Sequence, residues 1–283
     1  MQREQSIVRA HTMRTARLAY ERTNAASSPA RVPSAAKSLQ VHVGSSGWYY
    51  WHWRGSFYPQ KLPSTAWFAH YATQFDTVEL NAPFYSWPTA ATVQTWRRQA
   101  TGRKFFYTVK VNELITHVRR FSRTAALVKD FGWIAHLLDA RFACFLFQLP
   151  PSLHYSAALL RRIVTQLDPQ WHNVVEFRHP SWWNATVYET FAARNIVFCS
   201  VSAPRLPDDL IKTSEDIYVR FHGPQRWYRH DYSDQELAMW AKRIRASGAK
   251  RVWAYFNNDG EAYAIKNART LLRKLKRRAQ VPR

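Results

Sequence analysis

Residues 174–179 read VVEFRH, with Val175 and Phe177 alternating against Glu176 and Arg178 and His179 just beyond. A period of two with one apolar and one ionic face indicates a strand, and the β-branched and aromatic residues favour that choice. The ionic residues gather toward the C-terminal end. The same layout recurs along the chain. In 77–81, TVELN, Val78 and Leu80 oppose Glu79 and Asn81. In 105–112, FFYTVKVN, Val109 and Val111 oppose Lys110 and Asn112. In 217–222, IYVRFH, Ile217, Val219 and Phe221 oppose Tyr218, Arg220 and His222. Gln148 ends the apolar run 142–148, and Asn257 and Asn258 end the run at 252–257. With 41–44 and 196–201, eight segments read as strands.

Amphipathic segments lie between most of them. Ser64 to Phe75 places Trp67, Phe68, Tyr71 and Phe75 on one helical face, and Ser156 to Leu167 does so with Leu159, Leu160, Ile163, Val164 and Leu167. Ser233 with Glu236 three residues on reads as a capping box. Strands separated by helices pair in parallel, and eight such units in about 240 residues predict an α/β fold, a single TIM (β/α)8-type barrel. A doubly wound open sheet is the competing arrangement. The sixth crossover is degenerate: APRLPDDLIKTSED, 203–216, holds two prolines and no helical stripe. In such a barrel the polar residues near the strand ends face the mouth, where barrel enzymes place their sites.

The chain of 283 residues is 46% hydrophobic and 15% aromatic with 8 Gly and 14 Pro, which excludes collagenous and wholly disordered classes. The longest apolar run, Phe142 to Phe147, is the length of a buried strand and far short of a membrane span. Cys144 and Cys199 fall inside apolar runs and form no secreted disulfide framework, so a cytoplasmic location is expected. The net charge of +22 is concentrated at the ends, with 7 basic and 2 acidic residues in 1–40 and 8 basic and none acidic in 266–283. A solvated face is the plain reading of such runs, and contact with a polyanion the sharper one. Residues 1–40 have no signal-peptide core and read as a disordered or targeting-like basic extension outside the fold, with Met13 an internal alternative start. Residues 41–272 form the barrel domain and 273–283 a basic tail.

Buried charge is costly, so the recurrent polar strand ends read as a site. Glu79, Lys110, Glu176 and His222 are the candidates for acid–base chemistry, because burial raises a carboxyl pKa and lowers that of a lysine. Asn81, Gln148, Arg178, His179, Arg220 and Asn257 are candidates for holding the substrate. The plain structural alternative pairs Glu176 with Arg178, or Glu79 with Lys110, as ion pairs that stabilise the barrel end. His117 is a further candidate, although a lone loop histidine is more often simply exposed. No GxGxxG, GxxxxGK[ST], HExxH or paired CxxC occurs, so no cofactor is assigned; Glu79, Glu176 and His222 could hold a divalent metal but lack diagnostic spacing. Trp48, Tyr49, Tyr50, Trp51 and Trp53 after the first strand, Trp182 and Trp183 after the fifth, and Trp227 and Tyr228 after the seventh offer stacking surfaces, with Trp48 and Tyr49 as substrate-binding candidates. Ordinary packing between helices and barrel would account for the same residues.

The motifs GSSGWYYWHWRGSFYP (44–59), FDTVELNAPFYSWP (75–88), KVNELITH (110–117), FQLPPS (147–152), VEFRHPSW (175–182), YVRFHG (218–223) and YFNND (255–259) resemble, in this order, the YecE-like family, domain of unknown function 72. The resemblance implies a single TIM barrel over residues 41 to about 272. It marks Glu79, Asn81, Lys110, Gln148, Glu176, Arg178, His179, Arg220, His222 and Asn257 as motif positions, and it supplies no reaction. Where some members carry an acidic residue at the sixth strand, this chain reads SVSAP, 200–204. The expected function is acid–base catalysis, hydrolysis or isomerisation, on an anionic ring-bearing substrate such as a nucleotide, nucleic acid or sugar phosphate. The alternative is a non-catalytic protein that binds single-stranded nucleic acid.

Overall fold

In a computed structural model, which describes residues 2–23 and 38–276, strands alternate with helices along the chain. The strands are β1 (Gln40–Ser45), β2 (Thr77–Leu80), β3 (Phe106–Lys110), β4 (Phe142–Gln148), β5 (Asn173–Glu176), β6 (Val197–Ser202), β7 (Asp216–Phe221) and β8 (Arg251–Phe256). The helices are α1 (Gln2–Thr23), α2 (Trp67–Gln74), α3 (Ala82–Tyr85), α4 (Ala90–Gln99), α5 (Ala125–Leu138), α6 (Ala157–Val164), α7 (Ala185–Ala193), α8 (Asp234–Ala246) and α9 (Tyr263–Lys276). The strands neighbour one another in the order β1-β8-β7-β6-β5-β4-β3-β2. This is the α/β, TIM-type succession that the sequence predicts. No helix stands between β6 and β7, as Pro204 and Pro207 dictate.

Every residue of β2 to β8 is buried, because a parallel strand is covered on both faces. Local signals set the helix starts. The Ser156 hydroxyl accepts the Leu159 N–H at the head of α6, whose buried residues are Leu159, Leu160, Ile163 and Val164. Ser233 and Glu236 form the full capping box of α8.

The chain divides into two compact units, the first within residues 1–33 and 79–196, the second within 34–78 and 197–283. In the first unit the segment expected outside the fold forms α1 over residues 2–23, and this helix packs on α5. Its buried face is Ser6, Ala10, Met13 and Arg17, at helical spacing. Arg17 Nη2 lies 3.0 Å from Asp130 Oδ1, Arg14 Nε lies 3.0 Å from Asp130 Oδ2, and Arg9 Nη1 donates to Ser86 Oγ at 2.6 Å. The correction has a simple cause: the stripe is too polar to stand out as amphipathic, and its partner Asp130 is distant in sequence. Residues 24–37, the rest of that expected extension, lie outside the described residues, as do 277–283 of the basic tail.

In the second unit α9 packs on β1 and α8. Asp216 at the start of β7 accepts from Arg251 Nε at 3.0 Å and Trp253 Nε1 at 3.3 Å, a buried polar group at the N-terminal ends of the strands, where the barrel is stabilised rather than functional. Among the described residues no helix is long and apolar enough to cross a membrane. Cys144 and Cys199 are buried thiols, one in each unit.

Candidate functional site

In the first unit, parallel register pairs Lys110 with Leu146, Leu146 with Val174, and Gln148 with Glu176. Residues in register, or two apart, share a face of the sheet, so Lys110, Gln148 and Glu176 emerge on one face at the C-terminal ends of β3, β4 and β5. All three are buried. Arg178, just past β5, donates from Nε to Glu176 Oε1, the pairing anticipated from the sequence.

The chain leaving β3 is turned by Asn112, whose Nδ2 donates to the Pro83 carbonyl at 2.8 Å and whose Oδ1 accepts the Leu114 N–H at 3.0 Å. A π-helical turn, Leu114–Val118, follows, closed by the Arg119 N–H on the Leu114 carbonyl at 3.0 Å. Such turns are rare and concentrate at functional sites. This one delivers His117, with Nδ1 2.8 Å from Thr116 Oγ1 and Nε2 3.5 Å from Gln148 Nε2. The ring meets Phe84 edge-on at 4.9 Å, and Lys110 Nζ sits 3.7 Å above the centroid of Phe84. Burial pushes the His117 pKa down to about 4; the Lys110 and Arg178 cations add to the fall and Glu176 opposes it. At neutral pH the imidazole is therefore uncharged. Donation by the Gln148 amide to Nε2 and by Nδ1–H to Thr116 is the consistent arrangement, which leaves the basic lone pair on Nε2.

The remaining first-unit candidates are placed differently. Glu79 is fully buried on β2, and Asn81 follows as the residue before α3. His179 stacks on His154 at 3.7 Å, and its Nδ1 lies 2.8 Å from Ser181 Oγ, so it serves the turn after β5.

In the second unit, Arg220 on β7 is in register with Tyr255 and fully buried. His222 is fixed by its N–H on the Ser202 carbonyl at 2.9 Å, and Asn257 by its N–H on the Phe221 carbonyl at 2.9 Å. The Asn257 Nδ2 is then 3.4 Å from His222 Nδ1. Gly223 has φ +102, and a Cβ there would lie 2.5 Å from the Arg226 carbonyl, so this turn requires glycine. It folds Trp227 and Tyr228 back onto His222 at 5.3 and 5.8 Å.

The aromatic segments split between the two readings. Trp53 and Trp182 are fully buried, Trp182 stacking on Phe177 at 4.0 Å and donating to the Leu153 carbonyl at 2.8 Å, so both are packing residues. Trp48 packs edge-on against Phe68 at 5.3 Å, whereas Tyr49 is exposed.

Two features carry little sequence signal. His117 is a further candidate in the sequence but reads there as a loop histidine of the kind more often exposed, since its neighbours Phe84 and Gln148 are distant in the chain. Asp259 closes the YFNND motif; its Oδ1 accepts the Trp53 indole N–H at 2.8 Å and its Oδ2 lies 2.9 Å from His52 Nε2. Burial pushes the Asp259 carboxyl up to about 6, against the lowering effect of Trp53 and His52. Among the described residues no three His, Cys, Asp or Glu side chains are grouped to hold a metal ion.

Comparison with known proteins agrees with the family resemblance. The chain is 27% identical over 268 residues to the UPF0759 protein YunF of Bacillus subtilis (strain 168), covering 82% of this chain and 93% of YunF. A DUF72 family protein of Thermotoga maritima MSB8 matches with a TM-score of 0.76 and 27% identity, over 84% of this chain and 100% of that one. A DUF72 family protein of Enterococcus faecalis V583 shares the fold at a TM-score of 0.70 and 18% identity, over 86% and 100% of the two chains. The family model described as "Protein of unknown function DUF72" matches residues 42–283, past the boundary near 272 that the motifs mark and through the basic C-terminal segment. The chain belongs to the DUF72 family.

Proposed function

We propose that the protein is an enzyme that applies acid–base chemistry, hydrolysis or isomerisation, to an anionic ring-bearing substrate such as a nucleotide or sugar phosphate. The observation that carries this is the gathering of Lys110, Arg178, Gln148 and a neutral His117 at the ends of β3, β4 and β5. Two cations there suit a phosphate or carboxylate, and an uncharged imidazole within the field of both can take a proton from the same ligand. Lys110 and Arg178 hold the anionic group. Gln148 orients His117 across the long 3.5 Å contact with Nε2, and His117 Nε2 accepts the proton once the ligand displaces that amide. Glu176 fixes the plane of the Arg178 guanidinium through Nε, so its role is positioning. Glu79 and Asn81 on the β2 side extend this candidate set, and Arg220, His222 and Asn257 are the candidates of the second unit by itself. In this reading the protein works in the cytoplasm, with its thiols reduced.

The test is a titration of the full chain with inorganic phosphate and with ribose 5-phosphate, followed through the His117 ring resonances by NMR. A bound dianion beside Lys110 and Arg178 offsets their field, so the His117 pKa rises from about 4. Lys110→Met removes one holding group and weakens binding about tenfold or more, the loss of a charge-assisted contact. His117 resonances that stay fixed at saturating ligand, or unchanged affinity in Lys110→Met, would overturn the assignment.

A further inference from the structure

The second unit carries a surface that no step of this chemistry uses. Tyr49 and Trp51, in the segment after β1, are 53% and 58% exposed. They form the outer edge of a continuous aromatic cluster. Tyr49 and Trp51 meet each other at 6.3 Å, and each meets Trp67 at 5.0 Å. Trp67 stacks on Tyr58 at 4.7 Å with an interplanar angle of 4°, and Tyr58 meets Phe57 at 4.7 Å.

A guanidinium caps each end of this cluster. Arg54 Cζ lies 4.7 Å from the centroid of Trp51 and 5.5 Å from that of Trp67, and Arg269 Cζ of α9 lies 5.0 Å from that of Phe57. Among the described residues neither arginine has a carboxylate partner. From Arg269 the basic row continues along α9 through Arg273 and Lys276, at i+4 and i+7 on the same face and likewise without carboxylate partners among the described residues. Elsewhere the same helix pairs its cations: Lys266 with Asp231 at 2.6 Å and Lys274 with Asp234 at 2.6 Å.

We propose that the Tyr49–Trp51–Arg54 edge and the Arg269–Arg273–Lys276 row form a binding surface for single-stranded nucleic acid, with bases on the exposed rings and phosphates on the guanidinium and ammonium groups. Large exposed aromatics beside unpaired cations match a ligand that offers flat π faces and regularly spaced negative charge. An acidic peptide would satisfy the cations and leave the two rings without a flat partner. A duplex keeps its base faces stacked inside. The overall charge of +22 favours any polyanion, so the rings carry the discrimination.

The experiment is fluorescence anisotropy of a labelled twelve-residue oligothymidylate with the full chain, across a salt series, with unfolding midpoints recorded for every variant. Trp51→Ala and Tyr49→Ala each weaken binding by about 5- to 100-fold, the range for removal of one stacking ring. Trp51→Phe keeps most of the affinity and guards against a folding artefact. Arg54→Met and Arg269→Met each lower the slope of log affinity on log salt by about 0.7, one phosphate contact on a single strand. Polyglutamate of the same charge competes poorly. Unchanged affinity in both aromatic variants would overturn the proposal, as would competition by polyglutamate equal to that by unlabelled oligonucleotide. The readout is independent of the His117 titration, so this surface and the proposed chemistry can fail separately.

Discussion

Burial acts in opposite senses on His117 and Asp259. The imidazole falls from its ordinary 6.5 to about 4, so between those values the unfolded chain binds more protons and stability rises with pH, complete above about 6.5. The carboxyl rises from 3.8 to about 6, so between those values the folded chain binds more protons; its contribution is full below 3.8 and lost as pH rises through 6. The two effects oppose each other from about pH 4 to 6. Relative to the parent, Asp259→Asn therefore gains stability between pH 4.5 and 7 and His117→Asn loses it, each by on the order of 1–3 kcal/mol. Urea unfolding of both variants at the two pH values measures this; shifts of the same sign would contradict the placement of one of the groups. Glu79, Lys110 and Glu176 could be named as buried polar groups from strand alternation alone. The roles of His117 and Asp259 could not, because each is set by desolvation from residues remote in the chain.

At the scale of elements, period and capping located the strands and the helices that follow them, since seven of the eight strands bury every residue and their apolar runs are unmistakable. Helix α1 escaped, because its inner stripe contains a serine and an arginine in place of two aliphatic residues. That arginine is anchored by Asp130 on α5, and Arg14 shares the same carboxylate. Breaking a buried ion pair costs about 3–5 kcal/mol. With Arg14 still in place, Arg17→Met is expected to cost less, about 2 kcal/mol, in the range of a hydrogen bond to a charged group. Asp130→Asn, which withdraws the charge from both arginines, should cost more than either arginine substitution alone. Chemical denaturation of the three variants gives the order; an Asp130→Asn protein as stable as the parent would mean that α1 is held by its apolar contacts only.

For the molecule as a whole, two buried thiols report separately on the two units. Cys144 belongs to the first and Cys199 to the second, and both are essentially inaccessible. Neither should react with a thiol reagent in native buffer, and both should react in denaturant. At intermediate denaturant, equal labelling rates indicate one cooperative opening, and unequal rates show which unit opens first. Each unit is assembled from two separate stretches of chain, and within the second β1 pairs along its length with β8, Gln40 with Arg251 through Ser45 with Phe256. During synthesis β1 leaves the ribosome with no neighbour of its own unit to pair with. At 5–20 residues per second, its β8 partner follows about 10–40 s later. For that interval the first strand of the domain lacks its β8 partner, so successful folding in the cell rests on whatever shields that edge until β8 has been made.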